Sequence, residues 1–241
     1  MQVVITMAGR GSRFRQVGYT QPKHEIVVRG RTLFEWAMNS LRDFKNEKFV
    51  FVVRQGAYDR DQLKRLIAAA EIENYEIVPI DAVTSGQAAT VMAAMPVLNP
   101  HEGVAIYNID TYVEPGHILR ADLAACDGHL TTFKAPGEHW SFVKLDDQDH
   151  VVDVVEKQRI SDLASVGFYY FDRFVDFAGV YHHHAADVRR DYGETYVAPF
   201  YRYFIQEHRG TITVKTIPTD AVHVLGTPEE LAVFRDEVPE E

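Results

Sequence analysis

A basic, glycine-rich loop set directly behind a β-branched run is the feature that most constrains this chain. Val3-Val4-Ile5-Thr6 reads as a buried parallel strand, and Met7-Ala8-Gly9-Arg10-Gly11-Ser12-Arg13-Phe14 follows without a break. A loop in that place leaves backbone N–H groups free to point at an anion. Gly9 and Gly11 carry no Cβ, so the chain can turn sharply and come close to a phosphate. Arg10 and Arg13 add positive charge, and Arg13 is suited to bidentate contact with phosphoryl oxygens. Lys23, in Gln21-Pro22-Lys23, supplies a point charge on a stretch that Pro22 stiffens. Ala8, Gly9, Arg10, Gly11, Ser12, Arg13 and Lys23 together describe a triphosphate site, with Arg13 and Lys23 as candidate catalytic residues. A GxG alone also marks a tight turn or half of a dinucleotide fingerprint. Here the third glycine of that fingerprint falls on Phe14, and no Walker GKS or GKT follows.

Composition bounds what such a loop can serve. A chain of 241 residues suits one large α/β domain and is short for two. A net charge of −10 argues against a nucleic-acid binder, which would carry a basic face. Arg and Lys clustered inside an acidic chain mark a focused anion pocket instead. Cys126 is the only cysteine, which excludes an internal disulfide and any CxxC metal or redox motif. The sequence opens without the pattern of a secretory leader and holds no run of about 18 apolar residues. A cytoplasmic location with no membrane partner is therefore expected.

Behind the loop, Ile26-Val27-Val28 is a short apolar run closed by Gly30. Thr32 and Glu35 have capping-box spacing, and Leu33, Trp36, Ala37, Leu41 and Phe44 recur at the helical period, predicting a helix over 32–44. Strands are expected at 49–53 and 75–80, around a helix marked by Leu63, Leu66, Ile67 and Ala70. This alternation predicts a parallel sheet with helices on both faces. Thr84-Ser85-Gly86-Gln87 then feeds a helix that runs to about Ala94. Gly86 would admit a flat ring closely and Gln87 offers both donor and acceptor atoms to a base edge, while the same residues also fit a plain helix start. The strand at 104–107 ends in Asn108-Ile109-Asp110. A carboxylate at the carboxyl end of a buried parallel strand lies where open α/β sheets bind ligands, facing the crevice of the first loop. Asp110 is thus a candidate Mg²⁺ ligand, because Mg²⁺ takes one or two carboxylates together with phosphate oxygens and water. A cap for the next segment is the alternative.

From Gly128 the pattern changes to closely spaced strands at 130–134, 141–145 and 151–155, with Asp146-Asp147-Gln148-Asp149 as a hairpin turn. They predict a second half built on the same sheet, continued by a strand at 166–171. A helix over 172–190 carries His182-His183-His184, whose adjacent rings point in different directions and read as surface histidines rather than joint metal ligands. A helix over 196–208 and strands at 212–217 and 221–225 follow. Thr227, Pro228 and Glu230 then stand at the cap, N1 and N3 positions of a final helix. The acidic tail, 236–241, holds no polybasic membrane signal.

The basic Gly9–Arg13 loop followed by Pro22-Lys23 resembles the signature of nucleotidyltransferases that make NDP-sugars and related activated compounds, roughly G-x-G-x-R and then P-K. The resemblance runs over nearly the whole chain. It implies a single-domain Rossmann-like three-layer α/β/α fold with a mostly parallel mixed sheet. About 1–127 would be a nucleotide-binding half and about 128–241 an acceptor-binding half. It implies that the segment of Gly86 and Gln87 borders the nucleobase and that Asp110 is the metal-binding aspartate. In the family, an E-K ahead of a strand with glycine, tyrosine and phenylalanine holds the acceptor. That carries over to Glu156 for hydroxyls, Lys157 for the phosphate and Gly167 for close backbone approach, with Glu194 a further candidate contact. The ending Gly226-Thr227-Pro228-Glu229-Glu230-Leu231 resembles the family's D-x-GTPEDL with one departure: the aspartate, a second metal ligand in many members, is Val224 here. His223 and Asp220 are out of register, so a two-carboxylate metal site is in question.

The activity so implied joins an NTP to a phosphorylated small-molecule acceptor, a sugar 1-phosphate before others, with Mg²⁺ and release of pyrophosphate. Nothing in the sequence specifies or excludes a homo-oligomer. One rival is a cytidylyltransferase for phosphocholine or another small phospho-alcohol or phospho-amino acid. Another is a GT-A-like glycosyltransferase, although such enzymes often place a DxD pair where 108–110 offers one acid. A catalytically silent nucleotide-sensing subunit is the third, and Val224 is the residue that favours it.

Overall fold

The computed structural model describes residues 1–207 and 209–237. The first half runs β1 (Gln2–Met7), α1 (Ser12–Gln16), a ribbon of β2 (Val27–Val28) and β3 (Arg31–Thr32), α2 (Leu33–Ser40), β4 (Lys48–Arg54), α3 (Arg60–Ala69), β5 (Tyr75–Ile80), α4 (Gln87–Ala93) and β6 (Val104–Asn108). The four long strands lie parallel in the order β6-β1-β4-β5. The chain leaves β1 toward β4 and β5, then returns to β6 on the other side of β1. Strand order reverses there, which opens a crevice at the carboxyl ends of β1 and β6.

Period-two alternation gives each strand two buried faces. Val3, Ile5, Phe49, Phe51 and Val53 pack with Phe34, Ala37 and Met38 of α2 and Leu63, Leu66 and Ile67 of α3. Val4, Val50, Val52 and Ile106 face the opposite layer, with Ala88 and Val91 of α4. Fully burying a side chain of this size contributes about 1.5–3 kcal/mol, so both layers hold the sheet edge to edge.

The second half adds β7 (Thr111–Val113), β8 (Gly128–Lys134), β9 (Ser141–Leu145), β10 (Val151–Glu156), β11 (Leu163–Phe171), α5 (Phe174–Tyr192), α6 (Phe200–Gln206), β12 (Ile212–Thr216), β13 (Val222–Val224) and α7 (Pro228–Glu237). β11 joins the halves: Tyr169–Phe171 pair antiparallel with β6, while Leu163 and Ala164 pair with β9. Between Ser165 and Tyr169 its register against β8 shifts. The fold is the expected mixed, mostly parallel sheet between helical layers, and α5 and α6 extend the layer that α4 begins.

Several boundaries differ from the sequence expectation. The capping box of Thr32 and Glu35 forms, but α2 stops at Ser40, whose hydroxyl accepts the Val113 backbone N–H at 2.9 Å. A separate 3₁₀ turn then covers Arg42–Phe44. The helix expected over 196–208 begins only at Phe200, behind Pro199, because proline has no N–H to bond back to the Thr195 carbonyl, which accepts the Ala88 N–H instead. His208, its expected end, and the tail at 238–241 lie outside the described residues. The strand expected at 221–225 is β13, which pairs with β7 in a ribbon off the main sheet. Among the described residues no helix is long and apolar enough to cross a membrane.

Candidate active site

The register between β1 and β6 sets Thr6 beside Asn108. Two residues further along each strand, the first loop and Asp110 therefore emerge side by side. They open into a cleft of ≈ 590 Å³ lined by Ala8, Gly9, Arg10, Gly11, Ser12, Arg13, Lys23, Gly86, Gln87, Asp110, Glu156, Lys157, Gly167 and Glu194. Every candidate site residue named from the sequence is thus on this one surface.

The loop wall is electropositive and open. A Cβ on Gly9 would meet no protein atom within 4 Å. The side chains of Arg10, Arg13 and Arg15 have no hydrogen-bond or ion-pair partner among the described residues. Phe14 anchors the loop from beneath, buried in a cluster with Trp36, Leu225 and Phe234. Lys23 crosses the mouth: its Nζ lies 2.7 Å from Asp110 Oδ1, donates to the Gly226 carbonyl at 3.3 Å and stands 5.3 Å from the centre of the Phe14 ring. Asp110 is oriented by its own backbone, whose N–H donates to Asn108 Oδ1 at 3.1 Å and whose carbonyl accepts the Leu225 N–H at 2.6 Å.

Beside Lys23, His24 is buried, which lowers its pKa to about 4 and keeps it neutral near pH 7.

Val224 sits in β13 opposite Thr111 and is not among the residues lining the cleft. A different carboxylate comes near. A Cβ on Gly226 would lie 3.0 Å from Glu230 Oε2 and 4.0 Å from Asp110 Oδ2, and Glu230 Oε2 is buried without a hydrogen-bond partner among the described residues. Glu230 was legible in the sequence only as a helix-start residue.

At the far end the groups answer one another. Burial raises the Glu156 carboxyl, against a hydrogen bond that Ser141 Oγ donates to it. Burial alone would lower Lys157, but its hydrogen bond to the Tyr196 hydroxyl and the charges of Glu156 and Glu194 outweigh that and raise it. Its Nζ lies 4.5 Å from the centre of the Tyr196 ring. Lys157 itself has φ +54°, held by its N–H to the Trp140 carbonyl at 2.8 Å, a backbone state that costs a non-glycine residue on the order of 1 kcal/mol. Gly167 is at φ +87° in the irregular stretch of β11, and a Cβ there would come within 2.8 Å of Asn108 Nδ2. Ser141 and Tyr196 were not legible as site residues, because each acts through a partner distant in the chain, and neither was the packing of Asn108 against Gly167.

Gly86 ties the two ends together. It has φ +151°, and a Cβ would lie 2.5 Å from the Thr195 backbone nitrogen. Thr195 N–H donates to the Ser85 carbonyl and the Thr195 carbonyl accepts the Ala88 N–H, both at 2.8 Å. Its glycine is thus required by protein backbone, in addition to its place on the cleft wall. Gln87 Nε2 donates to Thr6 Oγ1 at 3.3 Å.

One cluster lies elsewhere. His183, His184 and Glu207 bring potential ligand atoms within 4.8 Å of one another, so adjacent rings on a helix can share a partner supplied from just past the end of α6. Glu207 already accepts from His184 at 2.7 Å and from Arg209 Nε at 2.5 Å.

A family model described as the MobA-like NTP transferase domain matches residues 3–167. Among solved structures, the nucleoside-diphosphate-sugar pyrophosphorylase from Vibrio cholerae RC9 superposes with TM-score 0.89 at 31% identity, covering 98% of this chain and 100% of that one. The inositol-1-phosphate CTP transferase from T. maritima is similar at TM-score 0.73 and 17% identity, over 99% of this chain and 97% of that one. A putative glucose-1-phosphate thymidylyltransferase from Bacillus anthracis gives TM-score 0.75 and 14% identity, over 100% and 98%. The last two share the fold. A search of curated proteins found no match.

Proposed function

The chain belongs to the MobA-like NTP transferase family and is a nucleotidyltransferase, and from that premise we propose that it joins an NTP to a sugar 1-phosphate, giving an NDP-sugar and pyrophosphate. The observation that carries this reading is one cleft with unpartnered arginines and the Lys23–Asp110 pair at one end and Lys157 at the other. The V. cholerae relative, described as a nucleoside-diphosphate-sugar pyrophosphorylase, supports the acceptor class.

In this reading the loop 8–13 and Arg13 hold the triphosphate. An acceptor phosphate oxygen attacks the α-phosphorus in line, a new P–O bond forms, and the bond to the bridging oxygen of pyrophosphate breaks. No protein nucleophile is required; positioning and charge neutralisation do the work. Lys23 balances charge on the α-phosphate and the leaving group. Lys157 exchanges the Tyr196 hydroxyl for the acceptor phosphate, while Glu156 and Glu194 face the acceptor's hydroxyls. Asp110 and phosphate oxygens suit Mg²⁺, with Glu230 Oε2 an orphaned acceptor nearby, and the ion would supply further neutralisation at the phosphates. A cytoplasmic location and the division into nucleotide and acceptor halves belong to the same proposal.

The test is pyrophosphate release in Mg²⁺, crossing four NTPs with sugar 1-phosphates and small phospho-alcohols. Release that needs both substrates and peaks with a sugar 1-phosphate is expected. A peak with phosphocholine or a phospho-amino acid would move the acceptor class. Transfer from a sugar nucleotide to a free hydroxyl, with no use of NTPs, would overturn the reading.

A further inference from the structure

Arg54 ends β4 with a guanidinium that has no hydrogen-bond or ion-pair partner among the described residues. Alternation along the strand puts it on the face of Val50 and Val52, which α4 covers and where Gln87 meets Thr6. Its Nε is shut off from solvent without a hydrogen-bond partner, and its side chain makes no ion pair among the described residues. An unmet buried donor is a standing destabilisation, and such groups call for an explanation by ligand or function. Arg54 lines the cleft together with Ala57, Val83 and Thr84.

Strand order fixes which part of a nucleotide could reach it. In the order β6-β1-β4-β5, the phosphate loop follows the central β1, Asp110 follows β6, and Arg54 follows β4. Glu156 and Lys157 lie beyond β6, on the side of β9 and β11. In-line attack sets the leaving pyrophosphate opposite the acceptor, so the nucleoside leaves the α-phosphorus sideways, and the cleft wall away from Glu156 and Lys157, built by Arg54, Ala57, Val83 and Thr84, is open to receive it.

A guanidinium offers parallel N–H donors and no acceptor. It is matched in plane by two adjacent acceptors, which cytosine provides as O2 and N3 and guanine as O6 and N7. Uracil places the N3–H donor between its two carbonyls, and adenine sets an amino group beside both N1 and N7. We propose that Arg54 is the specificity-determining residue for the base, selecting a nucleotide whose base edge carries two adjacent acceptors. The inference rests on the nucleotidyltransferase reading of this cleft and adds the class of nucleotide to it.

Calorimetric titration with CTP, GTP, UTP and ATP, each with Mg²⁺ and without acceptor, tests it apart from turnover. The folded wild-type protein should bind CTP or GTP about tenfold or more tightly than UTP and ATP, the size of one bidentate base contact; the tighter of the two identifies the base. Arg54→Met should erase that preference while changing UTP and ATP binding by less than about threefold, with no loss of Tm, since it removes an unpaired donor. Arg54→Lys keeps the charge without the fork and should also lose discrimination. A wild-type preference for UTP or ATP overturns the inference and leaves the cleft reading standing. Equal weakening of all four nucleotides by Arg54→Met overturns it in favour of a phosphate contact, and full discrimination by Arg54→Lys overturns it as well. A folded protein that binds none of the four overturns the cleft reading and this inference together.

Discussion

The two ends of the cleft treat charge in opposite ways. At the parallel end Arg10, Arg13, Arg15 and Arg54 have no side-chain partner among the described residues. At the antiparallel end Lys157 is bonded to Tyr196, and Glu156 to Ser141. Open cations suit a ligand that arrives with many acceptor oxygens, because nothing must be broken to receive it. A satisfied network suits a smaller ligand that must displace a specific bond, and it charges that exchange against every wrong ligand. In the proposed reaction the first end supplies affinity and charge neutralisation, and the second supplies choice of acceptor.

The sharpest way to break this contrast is Lys23→Ala, since Lys23 is the cation that Asp110 and the Gly226 carbonyl hold in place at the parallel end. Turnover should fall by about 10²- to 10³-fold, the scale of one lost transition-state donor. Thermal melts should change little, because a half-open ion pair of this kind contributes roughly 0–1 kcal/mol. Asp110→Asn should lower turnover as well and raise the Mg²⁺ concentration needed. Wild-type kinetics in both variants would move the triphosphate away from this wall.

Gly86→Ala tests whether the two ends are mechanically joined. The added Cβ collides with the Thr195 backbone, so the segments must part. Stability should drop by about 2 kcal/mol or more in denaturant unfolding, and both KM values should rise together. A rise in the NTP KM alone would show that the joint is local.

Tyr196→Phe addresses the antiparallel end alone. It removes the hydroxyl that Lys157 holds while keeping the ring beneath the ammonium. The KM for the acceptor should shift by about three- to tenfold in either direction, the worth of one charged hydrogen bond gained or lost, with NTP binding unchanged. An equal shift for the NTP would place Lys157 on the wrong substrate.

The same contrast decides what could be read from the chain. The parallel half announced itself: Val3–Thr6, 49–53 and 104–107 are β-branched or aromatic runs whose burial on both faces needs no partner to be identified. Asp110 was singled out by strand polarity together with the family resemblance, and Glu156, Lys157 and Gly167 came through the resemblance. Arg54 reads in sequence as an ordinary strand end, and only the missing partner for its Nε distinguishes it. Pro199 should have shortened the helix expected from 196, since the rule that stops it is local. Ser141 and Asn108 could not be found without the sheet, because the register of β9 against β10 and of β11 against β6 brings them to the cleft, and Tyr196 reaches it from the connection between α5 and α6 that Thr195 ties to Ser85 and Ala88.

The smallest expected effect is on stability as a function of pH, where one group from each end pulls in opposite directions. His24, beside Lys23, is lowered by burial from 6.5 to about 4. The unfolded chain then binds the proton more tightly, so the His24 contribution is present above pH 6.5 and is lost as pH falls toward 4. Glu156 is raised by burial above 4.5. The folded chain binds that proton more tightly, so its contribution is present below pH 4.5 and is lost as pH rises through the folded value. Between those limits the two slopes, each at most about 1.4 kcal/mol per pH unit, partly cancel. His129, which burial lowers to about 4 in the same way, adds a second rising slope, so in chemical denaturation Glu156→Gln should gain stability with pH more steeply than wild type from pH 4.5 upward, and His24→Gln less steeply. A Glu156→Gln profile parallel to wild type would mean that this carboxyl does not titrate in the window, and its buried bond to Ser141 would then belong to the ionised form.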